Sequence, residues 1–553
     1  MTTFGDHLTA VSQTPAPPDS HTGDCRCLPR GEGFRILNAK LAPSVPMIPA
    51  AQPDVRFLDI HGERIVFDAN SLCAVRVDQA TWDHLKSLGD NPSRSPSLPL
   101  SQSPSVHGLR GLLFSRDLPQ FRLARSTPVR KVVLNVTHAC NLACKYCFAS
   151  ERLSSPRKEG RASAPGHGDT ENENGFLGDP EEAILRGSPW PSVVEMSLET
   201  AMAGVRMIEP GVPLDVAFFG GEPLLAWERV KEVVEQTRRL AAERHVAAKF
   251  HITTNATLLD AEKLAFLKEQ PCSLLISLDG PAELHNAARP WRCGGAGPAP
   301  FEAVMKSLQR AADAGMSKRI MARSTFTLDN ARLVERLEFF AGLQDAGLIN
   351  GYSIEPAVMA ESCASRTTKT HDFSRGGAES AETSTSSSIL RASASPRELT
   401  SIAAEYHAAA RWFVSRLRAG RSAGFFHFRK LLDRILHARH MGSECGAGKG
   451  YVTIAPDGTI HACHREGTAI GSVAGGFEET ARAAWNDNRV SRRPDCMRCW
   501  ARYLCGGGCR QARLELGGDL AAATPERCAL QRTMIKECLW ILTQVNPKML
   551  RRL

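Results

Sequence analysis

Between Lys131 and Pro356 six apolar runs alternate with amphipathic segments, and this alternation restricts the chain more than any other feature. The runs are Lys131 to Thr137, Asp215 to Phe219, Lys249 to Thr254, Ser273 to Leu278, Arg319 to Thr327 and Ile349 to Glu355. Near-continuous apolar runs of this length are what strands become when both faces of a parallel sheet are covered. The segments between them, Leu198 to Ile208, Trp227 to Arg244, Ala261 to Glu269, Phe301 to Ala314 and Ala331 to Gln344, are long enough for crossover helices. The pattern predicts an α/β fold, a partial TIM-like (β/α)6 barrel spanning residues 126–360.

The flanking segments differ in character. Residues 1–53 are rich in Pro, Ser, Thr and Gly and read as a disordered tail, with Cys25 and Cys27 as incidental thiols. From residue 54 to 125, alternating stretches around Phe57 to Ile60, Arg64 to Asp68 and Ala74 to Val77, then a helix-like Gln79 to Leu88, predict a small hairpin and helix module. Residues 150–193 and 361–396 are low-complexity insertions. Helices from Pro396 to Leu417 and from Arg429 to Arg439 link the barrel, over residues 397–440, to a cysteine-rich region at 441–545.

Composition narrows the function classes. Of 553 residues 42% are hydrophobic and 23% charged, as in globular chains, so the protein is neither disordered nor fibrous as a whole. No run of 18 apolar residues occurs, and the start Met-Thr-Thr-Phe-Gly-Asp-His lacks a signal peptide's basic and apolar parts. We therefore expect a cytoplasmic protein with no membrane association. A net charge of +9 without basic runs interleaved with aromatics argues against nucleic-acid binding. In a reducing compartment the 17 cysteines point to metal or redox chemistry, and ten of them fall into two spaced groups. Cys73, Cys272, Cys293 and Cys538 lie outside both and read as small buried hydrophobes.

The first group, Cys140, Cys144 and Cys147, follows the first strand directly, where a parallel barrel places its chemistry. Three thiolates in one short loop suit an iron–sulfur cubane with one iron left open. An open position marks a site that acts on a ligand, and the alternative is a structural zinc site completed by His138.

CxxxCxxC with Tyr146 before the last cysteine resembles the signature of radical SAM enzymes, and the likeness continues strand by strand. Gly220-Gly221-Glu222-Pro223 after the second strand resembles the family's GGEP motif. Asn255 ends the third strand, Ser277-Leu278-Asp279-Gly280 ends the fourth, and Arg323 lies on the fifth. The resemblance implies a [4Fe-4S] cluster on Cys140, Cys144 and Cys147. S-adenosylmethionine would be held on its open iron by Tyr146, Gly220, Gly221, Glu222, Pro223, Asn255, Ser277 and Arg323, with Glu222 facing the ammonium and Arg323 the carboxylate. It also implies an electron donor such as flavodoxin or ferredoxin.

The second group reads Cys445, Cys463, Cys496, Cys499, Cys505, Cys509 and Cys528. Paired CxxC units also occur in zinc ribbons, but seven cysteines in this order resemble the SPASM domain, a C-terminal extension carrying auxiliary iron–sulfur clusters. The resemblance implies one cluster on Cys496, Cys499, Cys505 and Cys528 and a second on Cys445, Cys463 and Cys509. Where relatives have a further cysteine this chain has Arg439 and His440, leaving an open iron, a histidine ligand or a distant thiol such as Cys363. The arginines 489, 492, 493, 498, 502, 510 and 513 face one acid, Asp495, either as a solvated basic surface or as charge that tunes the clusters.

A SPASM domain implies a peptide or small-protein substrate. Cys463-His464-Arg465 and the module before the barrel resemble thioether-forming maturases of ribosomally made peptides, among them the maturase of quinohemoprotein amine dehydrogenase, in which a winged-helix-like element grips the peptide. Two alternatives are an anaerobic sulfatase-maturating enzyme and a non-enzymatic, zinc-stapled peptide-binding scaffold.

Overall fold

The computed structural model describes residues 34–37, 47–49, 54–87, 117–119, 127–149, 195–292, 298–357, 396–522 and 524–550. Most of both insertions, and Cys25, Cys27, Cys293 and Cys363, lie outside these residues.

The N-terminal strands are β1 (Phe34–Ile36), β2 (Met47–Pro49), β3 (Val55–Ile60), β4 (Glu63–Asp68), β5 (Ala74–Val77) and β6 (Asp117–Pro119). They make a four-stranded antiparallel sheet ordered β1-β5-β4-β3 and a separate β2-β6 pair. Two strands thus arise within the stretch expected to be a tail. Phe34–Ile36 finds its partner in β5, forty residues on in sequence, a non-local pairing that local composition does not report. β3 and β4 turn through His61 and Gly62, both at positive φ (52° and 82°), the geometry of a two-residue hairpin. One face of the sheet carries Val66, Val75 and Val77 against Trp82 and Leu85 of the helix Gln79–Ser87, with Phe57 edge-on to Trp82 at 5.2 Å. The other face, with Ile65 and Phe67, joins the main core.

The barrel strands are β7 (Lys131–Thr137), β8 (Leu214–Gly220), β9 (Ala248–Thr254), β10 (Cys272–Ser277), β11 (Ile320–Phe326) and β12 (Gly351–Pro356), each parallel to the next. All six lie on the expected runs. The alternating burial of β8, β9 and β10 shows why the sequence is less uniformly apolar than a closed barrel needs. Leu214, Val216 and Phe218 point into the helical layer and are fully buried, whereas Ala217 and Phe219 on the concave side stay half-buried. An unclosed barrel leaves that side open to line a site.

The C-terminal region is continuous with the barrel. β13 (Tyr451–Ile454) pairs parallel with β7, and β14 (Thr459–His461), β15 (Ala469–Ser472) and β16 (Gly476–Phe477) extend the same ten-stranded sheet antiparallel. Gly204 in the helix Leu198–Arg206 permits this docking, since a Cβ there would stand 2.7 Å from Ile454 Cγ1. The helices Pro396–Arg418 and Pro525–Gln544 pack side by side, and one core runs from Leu37 to Val545. Cys73, Cys272 and Cys538 are buried in apolar surroundings. Among the described residues no helix is long and apolar enough to cross a membrane.

At the floor of the barrel Asp215 meets Lys131 (3.0 Å) and His251 (3.2 Å). Burial pushes its carboxyl up, but His251 and Lys131 outweigh this and hold it near 2. Removing one member of a mostly buried ionic group strands the others, so Asp215→Ala is expected to cost about 3 kcal/mol. Urea unfolding checks this, and Asp215→Asn, which keeps an acceptor, is expected to cost less.

Candidate active site at the barrel mouth

Backbone contacts fix the loop after β7. Ala143 N donates to Pro290 O (2.8 Å), Lys145 N to Ala288 O (3.0 Å), and Arg292 holds the carbonyls of Cys140 (3.0 Å) and Leu142 (3.2 Å). Against its other side lies the Gly220-Gly221 turn. A Cβ on Gly221 would fall 2.0 Å from Ala139 O, and one on Gly220, at φ +134°, 2.2 Å from Thr137 O. Only glycine allows Gly221 N to reach Thr137 O (2.8 Å) and Glu222 N to reach Ala139 O (2.7 Å). Pro223 then opens a short 3-10 helix, Pro223–Ala226, capped by Glu222.

The expected side chains gather around this loop. Asn255 Nδ2 donates to Asn141 Oδ1 (2.8 Å) and lies 3.9 Å from Cys140 Sγ, while Arg289 Nη1 lies 3.8 Å from Cys144 Sγ. Glu222 is fully buried and accepts from Leu224 N (3.0 Å), Thr254 Oγ1 (2.6 Å) and Asn255 N (2.6 Å). Burial outweighs these donors and raises its carboxyl to about 7. Arg323 stands one strand over from Ser277 in register, with Nε on Ser353 Oγ (3.1 Å) and its guanidinium 3.7 Å from Glu355. Its fork toward a carboxylate is therefore already turned to one of the chain's own.

Sequence reasoning missed the group that organises the loop. Asp279 is fully buried and accepts from Arg289 Nε (3.0 Å) and Nη2 (3.1 Å), from Thr325 N (2.9 Å) and from the Tyr146 hydroxyl. The Arg289 guanidinium also lies 5.3 Å from the Tyr146 ring centre. Tyr146 is thus held by the chain through Asp279. Asp279 was visible in its strand-end motif, whereas Arg289 carries no motif at all.

A narrow crevice with room for about one water molecule separates the loop from the C-terminal region, lined by Asn135, His138, Phe148, Phe219, His464 and Glu466. Glu466 accepts from Asn135 Nδ2 and stands 3.2 Å from His138 Nε2. The His464 ring lies edge-on to Phe219 at 4.9 Å, and burial, then Arg323 and Arg465, lower its imidazole to about 4. The cleft therefore holds a neutral histidine and a carboxylate that the Cys463-His464-Arg465 motif did not announce.

The C-terminal thiols fall in two neighbourhoods. Cys463 is pushed up to about 12 by burial and then by Cys509 and Cys445, while Cys505 is pushed up to about 12 by burial, by Glu444, and then by Cys528 and Cys496. Of the seven arginines, Arg489, Arg493, Arg502, Arg510 and Arg513 are buried, and only Arg492 and Arg498 match a solvated surface. Arg513 Nη2 lies 3.7 Å from Cys496 Sγ, and Arg493 and Arg513 both grip Gly507 O, at 2.9 and 3.1 Å. His440 Nε2 sits 2.7 Å from Asn70 O.

The donor chemistry fits a cluster in the first loop. Burial raises Cys140 to about 12 and Cys144 to about 11, so these thiols become thiolates only when a metal supplies the positive charge. A single zinc ion would draw its sulfurs to about 3.8 Å from one another. Neither cysteine group is so contracted, since the one described set of three ligand atoms within 4.8 Å contains no cysteine.

Residues 134–332 match the Radical SAM superfamily. These residues form a radical SAM domain, and such a domain implies a [4Fe-4S] cluster and S-adenosylmethionine. The chain is similar to the radical SAM cyclopropyl synthase TigE of Paramaledivibacter caminithermalis, at 24% identity over 30% of either chain. It is also similar to the cysteine-type anaerobic sulfatase-maturating enzyme of Clostridium perfringens strain 13, at 28% identity over 30% of this chain and 37% of that one. The match spans about a third of the length of these curated relatives. The solved structure of anSMEcpe with bound AdoMet shares the fold, with a TM-score of 0.52 and 17% identity over 77% of this chain and 98% of that one.

Glu222 gives a pH test. Its carboxyl is raised from an ordinary 4.5 to about 7, so the stability carried by the neutral form is complete below pH 4.5 and lost as pH rises through 7. Without bound cofactor, the thermal midpoint of the wild type is expected to fall between about pH 5 and about pH 8 relative to Glu222→Gln, which does not titrate. Parallel curves would show that burial does not set this carboxyl's state.

Proposed function

We propose that the chain is a radical SAM/SPASM peptide maturase that forms a thioether crosslink in a ribosomally made peptide or small protein. The observation that carries this is the closeness of the two thiol regions across a narrow crevice. His464, next to Cys463 of the second thiol group, lines the same cleft as Gly220 and Gly221 beside the first. A substrate at the mouth of that crevice would lie between the two.

On this reading Cys140, Cys144 and Cys147 hold the cluster, and Tyr146, Gly220 to Pro223, Asn255, Ser277 and Arg323 surround S-adenosylmethionine. Bound there, the cluster and cofactor supply reductive cleavage and removal of a hydrogen atom from a substrate carbon. The chain's own residues do the rest. Phe148 and Phe219 exclude water from the cleft, and the Glu466 and His138 pair takes the proton of the substrate thiol. The substrate loses two hydrogens, one as an atom to 5′-deoxyadenosine and one as a proton. The electron for the cleavage would come from a donor such as flavodoxin or ferredoxin, and the one left on the substrate would be taken up by auxiliary iron–sulfur clusters, which Cys496, Cys499, Cys505 and Cys528 and Cys445, Cys463 and Cys509 would hold. The module at residues 54–125 grips the peptide by its sheet edge. A bound peptide is recorded for one structural neighbour, anSMEcpe with AdoMet and the Cp18Cys peptide.

The likeness to the cysteine-type anaerobic sulfatase-maturating enzyme favours a second reading, sulfatase maturation, for which Glu466 beside His138 would equally be the base. Anaerobic turnover separates the two. Wild type with reductant and S-adenosylmethionine is expected to release 5′-deoxyadenosine, and a Cys140→Ala, Cys144→Ala, Cys147→Ala variant none. A cysteine-containing peptide is expected to lose two hydrogens while keeping its sulfur. Loss of sulfur with formation of an aldehyde would replace crosslinking by sulfatase maturation, and no 5′-deoxyadenosine from iron-loaded wild type would remove both.

A further inference from the structure

Away from the barrel mouth, three side chains from distant parts of the chain converge. His61 lies in the β3–β4 turn, His407 on the helix Pro396–Arg418 and Glu537 on the helix Pro525–Gln544. His61 Nε2 is 2.9 Å from Glu537 Oε1, and His407 Nδ1 is 3.0 Å from Oε2 of the same carboxylate. The two imidazoles stack with centroids 3.4 Å apart, and the Trp540 ring stands edge-on to both, at 5.9 and 5.2 Å. All three ligand atoms lie within 4.8 Å of one another, and no other described set of three His, Cys, Asp or Glu side chains does this.

We propose that His61, His407 and Glu537 bind one divalent transition-metal ion, with zinc the ion that fits best. Zinc binds imidazole nitrogen and carboxylate oxygen at about 2.0–2.2 Å, which places tetrahedral ligands about 3.3 Å apart. The nitrogen-to-oxygen separations of 2.9 and 3.0 Å are near that edge. Glu537 is 5% exposed and fixes one side of the site, while His61 at 38% leaves the fourth position open to water. Two neutral imidazoles and one carboxylate make a nitrogen-rich set, borderline in softness, unlike the thiol groups elsewhere in the chain. Histidine also stands in a two-residue hairpin turn at positive φ, where Asn, Asp or Gly is the usual choice. The ion joins the N-terminal sheet to both C-terminal helices, so it acts as a clamp on that module whatever reaction the barrel performs.

The test uses the full chain with its iron–sulfur sites reconstituted, so that zinc cannot occupy the cysteines. Wild type is expected to hold about one zinc beyond its iron. In His61→Asn, chosen because Asn accepts positive φ, and in His407→Gln, zinc should fall at least tenfold with iron and sulfide unchanged. A chelator should lower the thermal midpoint of the wild type but not of either variant. Cobalt in place of zinc should give a high-spin cobalt(II) paramagnetic resonance signal, read with the clusters in their diamagnetic oxidised state, a readout that needs no variant. The proposal is overturned if wild type dialysed against excess zinc takes up none, if cobalt gives no such signal, or if the variants retain their zinc. The trio would then be a hydrogen-bonded bridge.

Discussion

The arrangement at the barrel mouth depends on one buried carboxylate, Asp279. It sits at the end of β10, is closed from solvent, and is neutralised by a two-point contact from Arg289. A buried carboxylate paired this way resists rearrangement, because moving either partner strands a charge. Through its other bonds Asp279 fixes Tyr146 in the cysteine loop and the backbone of Thr325 on β11. Arg289 in turn reaches Cys144. Two strand ends and the loop are thereby set relative to one another by side chains that touch only the periphery of the thiols.

A second constraint is the burial of positive charge beside thiols. Arg493, Arg510 and Arg513 are almost closed from solvent and are met by backbone carbonyls, with Arg513 also at Cys496. Carbonyl dipoles offset only part of the cost of burying a guanidinium. Anionic sulfur nearby offsets more, and positive charge in turn favours the thiolate. The metal-free thiols show the opposite side of this balance: with burial dominant, Cys463 and Cys505 are raised to about 12. The region is built for more negative charge than neutral thiols provide.

Much of this was legible in the sequence, and the rest was hidden for definite reasons. The six barrel strands were readable because their apolar runs are bounded and interleaved with helices. The cysteine loop and Gly220-Gly221-Glu222 were readable because their spacing is imposed by backbone contact. Arg289 was not, because it reaches Asp279 only once the chain after helix Ala282–Ala288 folds back under the loop. Charge counting could not distinguish a basic surface from buried arginines, since the carbonyls that hold Arg493 and Arg513 leave no trace in composition. The pairing of β13 with β7 is likewise parallel and remote, and it makes the C-terminal region an extension of the barrel sheet rather than an appended unit.

The position of the N-terminal module follows from that continuity. Its contacts run mainly to the C-terminal region: Arg502 bonds both Asp54 and Asn70, His440 meets Asn70 O, and Phe67 packs edge-on to Trp500 at 5.8 Å. The C-terminal region is itself anchored on β7, the strand that feeds the cysteine loop. The sheet edge of the module, the second thiol group and the cleft are therefore linked through one element. On the proposed reading, a peptide held by the module would be placed by the C-terminal region, which also carries the second set of thiols.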